Sequence, residues 1–242
     1  MNGDRIKHRQ TIALKPWLDH LVRHVAIARR GVDPEGVHQL RVAVAHIRVW
    51  LELGRWTVLH DDLRWLREQA APVRDLDVQL GHEMPAAYAE VLRAERDRAH
   101  HELLVALGES RFASLVAALE VLPPLRTRRV RNGVARSARR TLALGRALPR
   151  DGHACVHAAR RSVRRVRISL EWLGEPSEHL VRLQDVLGEY CDAWVAVRRA
   201  RLHGKGSEMR EHRRALKRKL REAARAARRA WLHAWPALEA LA

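Results

Sequence analysis

Two stretches of the chain carry the same unusual arrangement of charged side chains. In VHQLRVAVAHIRVWLE, His38, Arg41, Arg48 and Glu52 stand at offsets 0, 3, 10 and 14. In VHAARRSVRRVRISLE, His157, Arg160, Arg164, Arg167 and Glu171 stand at offsets 0, 3, 7, 10 and 14. On an α-helix, at 100° and 1.5 Å per residue, these offsets share an arc of about 80° along roughly 21 Å. Each stretch is therefore a straight stripe with histidine at one end, arginines along it and glutamate at the other end. Guanidinium groups are planar forks that grip two oxygens of a phosphate or carboxylate at once. Histidine adds a donor that changes charge near neutral pH. Arg161 and Arg165 widen the second stripe sideways, and Ala45 leaves offset 7 of the first one empty.

Such a row is costly in a dry core, where each unpaired buried charge costs several kcal/mol. Fully solvated, it suffers repulsion between like charges at i,i+4 spacing for no gain. A water-filled groove or channel between two helical bundles meets both objections when an anion runs parallel to the stripe. A solvated surface helix in a basic protein would explain one such row. The recurrence of one pattern in both halves of the chain favours a site.

The global charge points the same way. The chain has 242 residues and a net charge of +18. Residues 1–121 hold 17 Lys+Arg against 17 Asp+Glu, and residues 122–242 hold 29 against 11. A GC-rich genome explains why Arg outnumbers Lys, but not why the excess lies wholly in one half. A polyanionic partner does. Cys155 and Cys191 are the only cysteines, so there is no disulfide framework. The polar start MNGDRIKHRQ leads into no apolar segment, and no run is long enough to span a bilayer. A cytoplasmic, soluble protein with no membrane partner is expected.

The elements that must position the stripes are helical. Apolar residues recur at helical spacing, with proline and glycine clustered at turns. Helices are predicted from about Leu14 to Gly31, from Pro34 to near Gly54, from an Asp61 or Asp62 cap to Leu80 with a bend at Pro72, and from Pro85 to Leu107. A shorter one spans Arg111–Leu122 before Pro123 and Pro124 break the chain. The second half gives helices over Arg126–Leu148, from an Asp151 cap to Gly174, from Ser177 to Leu202, and from Ser207 to Trp235. The expected organisation is residues 1–122 as a first four-helix repeat plus a short connecting helix, and residues 123–242 as a second, strongly basic one. About 35 residues after each stripe comes a second match, APVRDLDV with Asp75 and Asp77, and LGEYCDAWV with Asp192.

The duplicated VHxxR…R…E helix, each copy followed by a helix with the second match, resembles the CHAD domain over about residues 10–235. The resemblance implies an all-α fold of two up-and-down four-helix bundles, related by a pseudo-two-fold axis around a basic central pore. It also implies non-enzymatic binding of inorganic polyphosphate and association with polyphosphate granules. By position it marks His38, Arg41 and Arg48, then His157, Arg160, Arg164, Arg165 and Arg167, as ligand-facing. Glu52 and Glu171 resemble residues that hold neighbouring arginines, and Asp75, Asp192, Gln184 and Asp185 resemble partners on the facing helix. Ala45 and His46 stand where the pattern has basic residues, and Ala71-Pro72 replaces the glycine that Gly188 supplies in the second copy. An asymmetric site that grips mainly through the second repeat is therefore expected.

Other signals are weaker. His153, Cys155 and His157 have the residue types of a metal site, but at offsets 2 and 4 the cysteine points away from the histidines, so no metal or other cofactor is expected. His100 and His101 read as solvated surface, Cys191 as a small buried apolar group, and the eight tryptophans as core rather than base-stacking platforms. The basic tail REHRRALKRKLREAARAARRAW reads as the last bundle helix with a solvated cationic face. No phosphate-binding glycine loop, zinc-protease motif or nucleophile elbow occurs, so the expected protein is a binding module. The competing reading is nonspecific binding of RNA or DNA, or a basic scaffold. Stripes without interleaved aromatics or Asn/Gln base readers favour the phosphate polymer.

Overall fold

The computed structural model describes residues 10–145, 153–203 and 206–242. These divide into two compact units, residues 11–126 and residues 127–242 with Gln10. Among the described residues the fold is all-α apart from one antiparallel pair in the first unit, β1 (Thr11–Ile12) on β2 (Leu125–Arg126), with Ile12 opposite Leu125. Sequence periodicity cannot show strands this short. The chain leaving Pro123-Pro124 makes this pairing before the second unit begins, which sets the division after Arg126.

The first unit contains α1 (Lys15–Arg30), α2 (Pro34–Gly54), α3 (His60–Leu80), α4 (Ala86–Gly108) and α5 (Ser110–Glu120). Leu18, Leu21, Val25 and Ala28 bury one face of α1, which ends at Gly31 with φ 71°, a conformation glycine adopts at little cost. Asp33 caps α2 by accepting from the Glu35 N–H at 2.8 Å. Successive helices pack on one another, and α5 touches α1, α3 and α4. Side chains join α4 to α1: Arg96 donates to the Gly31 carbonyl at 3.0 Å and Arg29 to that of Leu107 at 2.8 Å.

His100 departs from the solvated position expected of it. Its Nε2 donates to the Ala28 carbonyl at 2.8 Å, and a Cβ on Gly31 would lie 2.5 Å from its ring. The last carbonyls of a helix have no intrahelical donor, and His100 supplies one. The start of α3 differs too. Leu59, with φ 68°, takes the cap position without a side-chain hydrogen bond, while Asp61 and Asp62 lie in the first turn. There their carboxylates favour the positive end of the helix dipole and pair with Arg64 and Arg111, each at 2.8 Å. The helix runs on through Pro72.

The second unit contains α6 (Thr127–Gly145), α7 (His153–Leu173), α8 (Glu178–Ala200) and α9 (Ser207–Glu239). Each helix packs on its sequence neighbour, and α9 closes the ring on α6. Thus α7 and α9 stand at opposite corners of the bundle. A buried hydroxyl pair, Thr141 with Ser162 at 2.7 Å, joins α6 to α7, and Thr141 also donates to the Ser137 carbonyl. Helix α9 continues past Trp235 and through Pro236, because fully buried Leu238 still anchors its last turn. The expected Asp151 cap and the end of the preceding helix at Leu148 fall outside the described residues. Among the described residues, no helix is long and apolar enough to cross a membrane.

Candidate functional site

The two stripes lie on α2 and α7, and the helices that carry them bury matching positions. Val37, Leu40, Val44, Ile47 and Leu51 are buried in α2; Val156, Ala159, Val163, Val166 and Leu170 occupy the same offsets in α7 and are buried too. Val49 and Leu53 on α2, like Ile168 and Trp172 on α7, bury positions on the far side of the arc. Apolar burial therefore flanks the glutamate end of each stripe on both sides, while the histidine end is flanked on one side only.

On α7 the structure holds the arginines against α8. Arg167 donates from Nε to Gln184 Oε1 at 2.8 Å and from Nη1 to the Glu171 carboxylate one turn on. Both contacts fix the plane of the guanidinium and use neither N–H of Nη2. Arg160 lies flat over Gly188 on α8: a Cβ there would come within 3.3 Å of Nη2. Beside it lies the buried Cys191 thiol, whose pKa is raised first by burial, with Asp192 acting in the same direction and Arg160 and Arg164 opposing. Arg164 and Arg165 are half-buried, and Arg161 is exposed at the side. Asp192 is exposed beside Cys191, whereas Asp185 lies on the α9 side of α8, in a cleft with His179, Arg229 and His233.

On α2 the same task is met with other residues. Arg41, 28% exposed, reaches Asp75 of α3 at 3.7 Å, a distance of charge attraction rather than a hydrogen bond. Arg48 is half-buried one turn before Glu52, also half-buried. His46, at the position where a basic residue was looked for, leaves the stripe altogether. Its ring stacks on Trp17 at 3.4 Å between centroids, and its Nδ1 donates to the Val42 carbonyl at 2.9 Å. Asp77, 200° around α3 from Asp75, faces α4 instead and pairs with Arg96 at 3.1 Å, its side chain only 6% exposed. Removing one partner of so buried a pair costs about 3–5 kcal/mol, so Asp77 serves the bundle.

The histidines at the heads of the stripes are both shifted toward neutrality. Burial lowers the His38 pKa first, and the cations Arg74 and Arg41 add to it against opposition from Glu35. Loss of water around the His157 ring lowers its pKa first, and Arg161, His153, Arg160 and Arg164 all push the same way. Both rings therefore start neutral at pH 7, each close to cations that a bound anion would screen. His157 is exposed and His38 half-buried. Arg74 was not visible as part of the site from the sequence; it stands next to Asp75, and only the packing of α3 on α2 brings it to His38.

His153 sits one turn before His157 but stacks on Trp194 of α8, 3.7 Å between centroids and 4° from parallel. Arg198 lies over the same indole at 5.3 Å. Among the described residues, no three His, Cys, Asp or Glu side chains gather as a metal cluster.

The family model of the CHAD domain matches residues 12–203, and the chain belongs to that family. Two solved structures share its fold. The CHAD domain from the plant Ricinus communis is 22% identical with a TM-score of 0.69, the match covering 96% of this chain and 91% of that one. PptA from Streptomyces chartreusis is 21% identical with a TM-score of 0.72, covering 97% and 99%. No curated protein matches the chain.

Proposed function

We propose that this protein binds inorganic polyphosphate without turning it over. In this reading two pseudo-two-fold-related bundles present the α2 and α7 stripes to a shared basic pore, and binding brings the protein to polyphosphate granules. The observation that carries the reading is the duplicated stripe, with Arg41 and Arg160 in matching positions, each drawn toward the helix that follows. Polyphosphate offers a repeating line of oxyanions and no base edges, so spaced donors suffice to hold it. Charge-assisted contacts to guanidinium are about twice as strong as neutral ones. Release of condensed counterions adds affinity that falls steeply with salt. The two aspartates following the first stripe point to different helices, an arrangement that suits a binding surface better than metal-assisted hydrolysis.

The test is a titration against labelled long-chain polyphosphate with RNA and duplex DNA as charge-matched competitors, at two salt concentrations. Polyphosphate is expected to win by about tenfold or more, with a salt slope that reports several phosphate contacts. Equal competition by nucleic acid would replace this reading with a general basic surface.

A further inference from the structure

The largest concentration of charge outside the stripes lies on α9. Arg210, Arg214, Lys217, Arg221, Arg225 and Arg228 are all exposed. At 100° per residue they fall within an arc of about 80° and run along roughly 27 Å, a longer row than either stripe. The residues α9 buries, among them Met209, Ala223, Ala227, Trp231 and Leu238, centre about 120° away around the helix. Glu208, Glu211 and Glu222 all lie outside the arc, so no carboxylate interrupts it within those turns. Beside its first turns runs a groove of about 660 Å³ lined by Ser207, Arg210, Glu211, Arg214 and Arg218.

We propose that this row is a second binding surface for the same phosphate polymer, and that the second unit is consequently bivalent. The proposal rests on the polyphosphate reading above. Because α7 and α9 occupy opposite corners of their bundle, one short chain cannot lie on both rows. A long chain can leave one protein's α7 row and enter another protein's α9 row, so the protein cross-links polymer. The row is narrow, straight and one helix wide, which matches a thin linear polyanion better than a duplex, whose phosphates spread over two strands. Embedding in a bilayer would need the apolar face of α9, and that face is spent on α6 and α8.

Calorimetric titration with short-chain polyphosphate provides the test, followed by light scattering with long-chain polymer. Wild type is expected to take up two short chains and to form particles with long chains that redissolve in excess polymer. The exposed-face variant Arg214→Gln/Lys217→Gln/Arg221→Gln/Arg225→Gln, which keeps good helix formers, is expected to take up one chain and form no particles. Arg23→Gln/Arg30→Gln/Arg93→Gln/Arg98→Gln, on exposed positions of the first unit, controls for net charge and should behave as wild type. One chain per wild-type molecule, or a four-site variant that still binds two, overturns the α9 surface while leaving the α7 site standing. Displacement of polyphosphate from α9 by duplex DNA or by phosphatidylserine vesicles would overturn its occupant. Absence of any polyphosphate binding by wild type would instead fell the parent reading.

Discussion

The stripes on α2 and α7 are the same design set among different neighbours. On α7, Arg167 is held by two acceptors and Arg160 packs on Gly188, with the buried Cys191 thiol nearby. On α2, Arg41 has an aspartate 3.7 Å away whose side chain is 49% exposed, and offset 7 carries Ala45. A guanidinium already fixed in its fork geometry loses little freedom on gripping a phosphate. The α7 stripe also sits in the half of the chain that carries the whole net charge. The difference teaches that duplication preserved the frame of the helix, its buried offsets, more strictly than the chemistry mounted on it.

The largest effect should come from removing the row in the strongly basic half of the chain. Arg164→Ala/Arg167→Ala is expected to weaken long-chain polyphosphate binding by tenfold or more and to reduce the salt slope by about two contacts. Arg41→Ala/Arg48→Ala should cost about threefold under the same conditions, scaled from the smaller charge excess around it. Equal losses in a fluorescence-anisotropy titration would erase the proposed asymmetry. Filling the gap sharpens the comparison from the other side. Ala45→Arg supplies the missing offset on a half-buried position and should raise affinity about threefold, with the salt slope steeper by about one. An unchanged slope would mean that the first stripe does not face the polymer.

A smaller and more discriminating effect concerns Gly188. A methyl there would come 3.3 Å from Arg160 Nη2, so the guanidinium must shift by a few tenths of an ångström. Gly→Ala inside a helix gains about 0.5–1 kcal/mol. Gly188→Ala is therefore expected to raise or hold Tm while lowering affinity about threefold, a split that a purely structural glycine would not give. Loss of both stability and binding would indicate that the backbones, not Arg160, needed the space.

Much of this was legible in the sequence, and the reasons are specific. Helices α1, α2 and α4 announce themselves through proline starts, glycine or loop ends and apolar residues at helical spacing, all of which are local properties. The stripes were legible because duplication lets one copy vouch for the other. What escaped was set by packing between helices. Nothing local to AHIRVW says that His46 will stack on Trp17, or that His100 will close the end of α1 from a helix 72 residues away. The cap of α3 was misplaced because Asp61 and Asp62 fit a cap by type, yet both are engaged by Arg64 and Arg111 inside the first turn. Asp185, which the resemblance groups with Gln184, is turned 100° from it around α8 and lines the cleft with residues of α9, a placement only the packing reveals.

The smallest effect is expected from protons, and its sign is fixed by the charges around the two histidines. In the free protein the pKa values of His38 and His157 are lowered, so each ring is neutral until the pH falls clearly below 6.5. A bound polyanion offsets Arg74 at His38 and Arg161 at His157, which raises both values. Binding must then take up protons. Affinity should rise as pH falls through the bound-state pKa and level off below the free-state one, by about threefold between pH 7.5 and 5.5. The same shift acts against the free fold: the unfolded chain binds these protons first, so Tm should decline as pH drops below about 6.5, and decline less with polyphosphate bound. Comparing wild type with His157→Gln and His38→Gln by calorimetry in buffers of different ionisation enthalpy separates the copies. His157, surrounded by four cationic or titrating neighbours, should account for the larger part of the proton uptake. If both variants take up as many protons as wild type, the histidines orient the bundles and the arginines alone hold the polymer.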